Sequence, residues 1–263
     1  MIVFMVLGIF GILTGISASL FGFGGGFVVV PLLYHLLGAT NEFSMYIAVA
    51  TSTAIMIVNS LNATYKHNKK GNVIWHMVFP LIIYIGIGAI IGVFLSKFLN
   101  SNIIRWCFII YMGYTIFDCL AKKHFIHHSA SELKFINKYL NLVIGVVIGV
   151  VATVLGVGGS VMTVPLMRKL GAKMKNAVAM ANPLSFPVGL MGAIGYVILA
   201  YSQNIHLGTN YFGFIYLPAF LFLVIGGFVG VPIGSRLINK IPDAIHAKIY
   251  ILLLFIVLIA MIL

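Results

Sequence analysis

Apolar runs separated by short polar connectors recur along the whole chain. A stretch at 2–37 is followed by apolar segments at about 43–65, 74–96 and 103–120, and a stretch at 139–170 by segments at about 177–201, 211–235 and 244–263. Each of the six shorter segments has roughly the 20 residues that a helix needs to cross a hydrocarbon core. The pattern therefore predicts an all-α polytopic membrane protein. Residues 2–37 do not fit one span: 36 residues without a charge would make a straight helix about 54 Å long, against roughly 30 Å of hydrocarbon.

The two long stretches are copies of one pattern. Gly22-Phe23-Gly24-Gly25-Gly26 through Pro31-Leu32 matches Gly156-Val157-Gly158-Gly159-Ser160 through Pro165-Leu166 at an offset of 134. Leu37-Gly38-Ala39 returns as Leu170-Gly171-Ala172, and Pro80, Gly88 and Gly92 align with Pro218, Gly226 and Gly230 at an offset of 138. This gives a first transmembrane repeat at 1–121, a basic linker at 122–138 and a second repeat at 139–263. Because the motif recurs internally, and no basic residue precedes it, residues 2–21 are expected to be a span rather than a removed leader.

Charge decides how each glycine-interrupted stretch is threaded. If each crosses once, Lys and Arg divide seven against nine between the two sides. If each folds back as a hairpin, only Lys97 and Arg105 remain on one side and the division is 14 against 2, as the excess of cationic loops in the cytoplasm requires. Each repeat is then a Gly-broken helical hairpin plus three transmembrane helices. An odd net number of crossings makes the two repeats inverted, with both termini outside the cytoplasm.

Composition narrows the function. Residues are 62% hydrophobic and 8% charged, and the formal net charge is +12. Most of the cations lie in connectors, where they orient the chain and meet anionic lipid, so nucleic acid is not an expected partner. Cys107 and Cys119 share one apolar run and read as small hydrophobes. Neither an enzyme activity nor a cofactor is expected.

The glycine clusters are the candidate chemistry. Backbone exposed at membrane depth is tolerated only where it faces protein or a water-filled cavity. Helices starting after Gly24, Gly25 and Gly26, and after Gly158, Gly159 and Ser160, would aim free N–H groups and the positive ends of two dipoles at one point. Thr51, Ser52 and Asn59 in the first repeat, with Asn182 and Ser185 in the second, would add neutral donors. The two prolines of Asn182-Pro183-Leu184-Ser185-Phe186-Pro187 should kink or break that helix. Of the four acids, Glu42 and Asp118 lie at span ends and Glu132 and Asp243 in connectors. Cation carriers keep carboxylates in the membrane, so the expected partner is a small anion. The Gly88/Gly92 and Gly226/Gly230 pairs have the spacing of close helix crossings. Arg105 reads as an interfacial cation. His124-Phe125-Ile126-His127-His128 has the form of one iron-binding histidine box, but His35, His67, His76, His206 and His246 supply no second box, leaving a membrane metalloenzyme as a minor alternative.

The paired Gly-x-Gly-Gly-Gly/Ser and Pro-Leu motifs, with their Leu-Gly turns, resemble the TauE/SafE family of sulfite exporters over nearly the whole chain. The resemblance implies a transporter, by alternating access, of sulfite, a sulfonate or a related sulfur oxyanion, in a cell inner membrane with the basic loops cytoplasmic. An anion channel using the same residues is the alternative. Met180-Ala181-Asn182-Pro183 stands about where the first repeat has Thr51-Ser52-Thr53-Ala54, so one of two expected Thr-Ser contacts is replaced.

Overall fold

The computed structural model describes residues 2–38, 42–121, 125 and 137–263. Among these residues the chain forms helices α1 (Ile2–Phe21), α2 (Gly26–Leu37), α3 (Ser44–Lys69), α4 (Trp75–Ser96) and α5 (Ser101–Ala121) in its first half. The second half forms α6 (Lys138–Leu155), α7 (Ser160–Lys169), α8 (Met174–Ser202), the hairpin β1 (Tyr211–Phe212) and β2 (Ile215–Tyr216), α9 (Leu217–Leu237) and α10 (Asp243–Ile262). Six helices, α3, α4, α5, α8, α9 and α10, are long and apolar enough to cross a bilayer. Side chains such as Ile83, Phe94, Ile110, Phe117 and Ile225 remain exposed on their outer faces, the surface that lipid requires. The fold is that of a multi-pass membrane protein, helical apart from the one short hairpin among the described residues.

Both long stretches break at glycine. Gly22 and Gly156 follow α1 and α6 with φ of +78° and +67°, a left-handed turn that costs glycine little. The helices beyond the breaks are short: α2 has 12 residues and α7 has 10, so they reach about 18 Å and 15 Å, roughly half a bilayer.

Two glycine seams hold the scaffold together. In the seam of α1 with α9, a Cβ on Gly15 would lie 2.7 Å from the Gly227 carbonyl oxygen, and one on Gly230 would overlap that of Ile12. In the seam of α4 with α6, a Cβ on Gly92 would lie 2.7 Å from the Val150 carbonyl oxygen. The Gly-x-x-x-Gly pairs therefore serve backbone approach, as their spacing predicts. Every such pairing has a counterpart in the other half: α2 packs on α3 as α7 does on α8, and α3 meets α9 as α8 meets α4.

The order of these contacts gives the helix directions. Gly11 meets Gly226, Gly15 meets Gly227 and Gly234 meets Ser19, so α1 and α9 run parallel. Gly88 meets Val146 and Gly92 meets Val150, so α4 and α6 also run parallel. By contrast, Tyr46 lies against Tyr196 while Thr53 lies against Gly192 and Ile57 against Gly189, so α3 and its counterpart α8 are antiparallel. Thr51, Asn59 and Lys70 meet Tyr216, Gly227 and Ser235 in that order, which sets α3 parallel to α9 and hence to α1. The chain must therefore turn back between α1 and α3, and α2 makes the return.

The two ends of the bundle differ in charge. At one end, Lys70 donates to the Ser235 carbonyl, Asn176 Nδ2 donates to Asn72 O at 2.9 Å, and Arg168 pairs with Asp243 at 2.8 Å. These contacts gather the ends carrying Lys66, Lys69, Lys70, Arg168, Lys169, Lys173, Lys175, Arg236 and Lys240. Burial against α9, together with Arg236 and Lys66, holds the Lys70 ammonium below the usual lysine range. At the opposite end Arg105 donates to the carbonyls of Met261 and Ile262, at 3.0 and 2.9 Å, and lies over the Tyr34 ring. Lys97 accompanies it there.

Two expectations about elements are corrected. The span expected from 211 starts at Leu217; residues before it form a tight hairpin because Gly213 turns with φ of +59° and Leu217 N–H bonds Asn210 O at 3.0 Å. Nor do the prolines break α8, which is helical across Pro183 and Pro187. Both prolines lie within a helix buried among its neighbours, where the backbone groups they free cost less.

Candidate functional site

The two glycine loops meet halfway along α3. Gly24 and Gly158 occupy equivalent places, with φ of +61° and +65°, and Met56 lies between them. A Cβ on Gly24 would fall 2.5 Å from Met56 Cγ, and one on Gly158 would fall 3.0 Å from Met56 Sδ and 3.3 Å from Ser185 Oγ. Ser52, Met56 and Asn59 follow one another on a single face of α3, at intervals of four and three. All three are buried, Asn59 being 1% exposed, so the cluster is closed to solvent.

The predicted side chains are used in different ways. Ser52 Oγ donates to Gly156 O at 2.6 Å and lies 3.1 Å from Gly26 O, tying the second loop to the start of α2. Asn59 lies beside both Gly25 and Gly227, yet neither its amide nitrogen nor its amide oxygen has a hydrogen-bond partner. A buried amide left open in this way is costly, which makes it the strongest sign of a ligand position in the cluster. Ser185 Oγ bonds back to Ala181 O at 3.0 Å and Asn182 Nδ2 to Val178 O at 3.1 Å. Asn182 Oδ1 is unpartnered, as is Ser160 Oγ at the head of α7. Thr51 is engaged elsewhere, accepting the Tyr216 N–H at 2.9 Å, which anchors the hairpin ahead of α9.

The loops are alike in position and unlike in detail. Gly25 precedes α2 with φ of +85°, whereas Gly159 precedes α7 with φ of −60°. Gly26 N–H bonds Phe23 O at 3.3 Å, and the N–H groups of Met162 and Thr163 bond Gly159 O at 3.2 and 2.8 Å; other N–H groups of each first turn have no intrahelical partner. Among the described residues, Glu42, Asp118 and Asp243 sit at span ends, so the cluster offers neutral donors, backbone dipoles and one thioether. No group of three or more His, Cys, Asp or Glu converges among the described residues, and the histidines at 124, 127 and 128 lie outside them. Met56 and Gly227 escaped the sequence reading because both look like ordinary span residues; the 52, 56, 59 spacing was the available signal for Met56.

Comparison with known proteins decides the class. A family model described as "Sulfite exporter TauE/SafE" matches residues 7–261. The chain belongs to this family. Among its relatives, a "Probable membrane transporter protein" of Haemophilus influenzae is 27% identical over 258 residues, covering 95% of each chain. One of Methanocaldococcus jannaschii is 26% identical over 247 residues, covering 91% of this chain and 86% of the relative. One of Bacillus subtilis is 34% identical over 112 residues, or 41% of each chain. No solved structure matches. Family membership and six apolar spans make this TauE/SafE protein a multi-pass membrane transporter.

Proposed function

We propose that this TauE/SafE member carries a small sulfur oxyanion, such as sulfite or a sulfonate, out of the cell by alternating access between two inverted repeats. The observation that carries the reading is the meeting of two half-length helices, one from each half, whose N-termini face a buried cluster of neutral donors. Anions are favoured at helix N-termini, and paired half-helices at mid-depth are a recurring way to build a transport site. The antiparallel relation of α3 to α8 supports inversion of the halves. The gathering of nine described Lys and Arg residues at one end, opposite Lys97 and Arg105, supports a cytoplasmic basic end.

In this reading the sealed cluster is an occluded state. Met56 occupies the space between the loops, and the anion replaces it against Asn59 and the N–H groups of α2 and α7. Ser52 exchanges its carbonyl partners for the anion. Export is favoured by a negative interior by about 2.3 kcal/mol per charge per 100 mV. The test is efflux of labelled sulfite, thiosulfate, sulfoacetate and a carboxylate control from proteoliposomes. Saturable, sulfur-selective efflux with counterflow, lost in Gly25→Leu, is expected. Flux without saturation or counterflow would mark a channel, and no flux above empty liposomes would remove the anion-carrier reading.

A further inference from the structure

Two buried imidazoles hold the end of α1 where it enters the first glycine loop. His67 of α3 has its Nε2 2.9 Å from the Ser19 carbonyl oxygen and 3.2 Å from the Ser19 hydroxyl. His246 of α10 directs its Nε2 at the carbonyl of Leu20, the next residue. Both are sealed, at 0% and 1% exposure. Carbonyls in a helix's last turn lack intrahelical donors, so the two side chains act as caps from two different helices. Because a carbonyl can only accept, each Nε2 carries hydrogen, and a neutral ring then leaves Nδ1 bare. His67 Nδ1 is buried without a partner.

We propose that His67 is a proton-binding site that couples proton movement to anion transport, with His246 as the second jaw of the same clamp. This rests on the reading of the chain as an anion carrier. A proton on Nδ1 would place a cation in a sealed position that faces Lys70, just past the end of α3, and His246 on α10, with Asp243 of α10 and Arg168 of α7 facing His246 in turn. From α1, Ser19 offers only its hydroxyl and carbonyl. A buried charge without a counter-charge is strongly disfavoured, so the protonated chain shifts toward a conformation in which Nδ1 meets water or an anion. The segment released is the one gripped at Ser19 and Leu20, which leads directly into Gly22, Gly24 and Gly25. By linkage, an anion bound at that loop changes proton affinity at His67 to the same degree. Proton and anion then move together, which lowers the net charge carried across the membrane.

The test uses labelled sulfoacetate, whose charge is constant near neutral pH, in proteoliposomes containing the full chain and clamped at zero membrane potential. An imposed gradient of about two pH units is expected to accelerate wild-type transport at least about fivefold. In His67→Gln, whose amide can still donate to Ser19 but does not titrate, the acceleration disappears while sulfoacetate exchange stays within about twofold. Wild-type transport indifferent to the gradient, or a variant that responds like wild type, overturns the coupling. Absence of both flux and exchange in the wild type overturns the carrier reading instead. Hydrogen exchange of residues 18–26 in nanodiscs then still tests the clamp: protection, measured against the intrinsic exchange rate at each pH, that falls on crossing from above to below about pH 6.5 in the wild type alone supports it, and equal behaviour in both proteins overturns it.

Discussion

In the first glycine loop Gly22, Gly24 and Gly25 all have positive φ, whereas in the second only Gly156 and Gly158 do and Gly159 is right-handed. The helices behind the loops differ in the same direction. From α3, Ser52 reaches across to the other loop and Asn59 is left open, while Ser185 and the Asn182 nitrogen of α8 bond back to their own helix. The seams outside the cluster show no such contrast, since α1 with α9 and α4 with α6 are built on equivalent glycines. The two halves therefore share equivalent seams but differ at the cluster: the first leaves both amide atoms of Asn59 open, and the second leaves Asn182 Oδ1 and Ser160 Oγ open.

The largest expected effect tests the equivalence of the seams. Gly230→Leu and Gly92→Leu should each cost about 3 kcal/mol or more, because the new side chains collide with backbone rather than with yielding side chains. Thermal unfolding in detergent should find both folds lost or severely weakened; survival of either would show that its seam is not close-packed. Next in size is Arg168→Ala, at about 2–3 kcal/mol. It removes the pair with Asp243, which is tempered by that carboxylate's 30% exposure, and the bonds to the Phe125 and Ala172 carbonyls. An unchanged denaturation midpoint would mean that the ion pair contributes nothing to the basic end.

Two smaller effects sharpen the contrast between loops. Gly25→Ala should cost about 1–2 kcal/mol from its left-handed backbone, whereas Gly159→Ala, with φ of −60° and nearest neighbour Ile148 Cγ2 at 3.1 Å, should stay within about 0.5 kcal/mol. Equal costs would contradict the asymmetry. Asn59→Leu separates stability from function: removing an unpartnered amide should leave stability unchanged or raise it by up to about 1 kcal/mol, while sulfur-anion efflux falls at least about tenfold. A variant that is less stable and still active would make Asn59 a structural residue.

Much of this architecture was legible in the chain because membranes impose simple rules. Uninterrupted apolar runs mark spans and glycine clusters mark breaks, so the six long helices and the ends of α1 and α6 could be read directly. The hairpin at 211–216 was hidden because its aromatic residues are as apolar as a span. Of the kink or break expected at Pro183 and Pro187, the break does not occur, because a buried helix accommodates proline where an isolated one would not. That Gly24, Gly25, Ser52, Asn59 and Ser185 lie in one buried cluster agrees with their residue types and positions in the two glycine-interrupted units. Met56 is apolar within an apolar run, so its only signal was its place between Ser52 and Asn59 on one helical face. His67 and His246 looked scattered because 179 positions separate them in sequence, and only the fold brings both to the end of α1.

The most direct test of the central claim, a shared site reached alternately from the two sides, is labelling of a single cysteine at Ser185→Cys in a Cys107→Ser, Cys119→Ser background. Ser185 lies beside both loops, so an impermeant thiol reagent applied in reconstituted vesicles should reach it from either face, with sulfite slowing both reactions. Access from one face only would contradict alternating access, and labelling that ignores every sulfur anion would contradict the site.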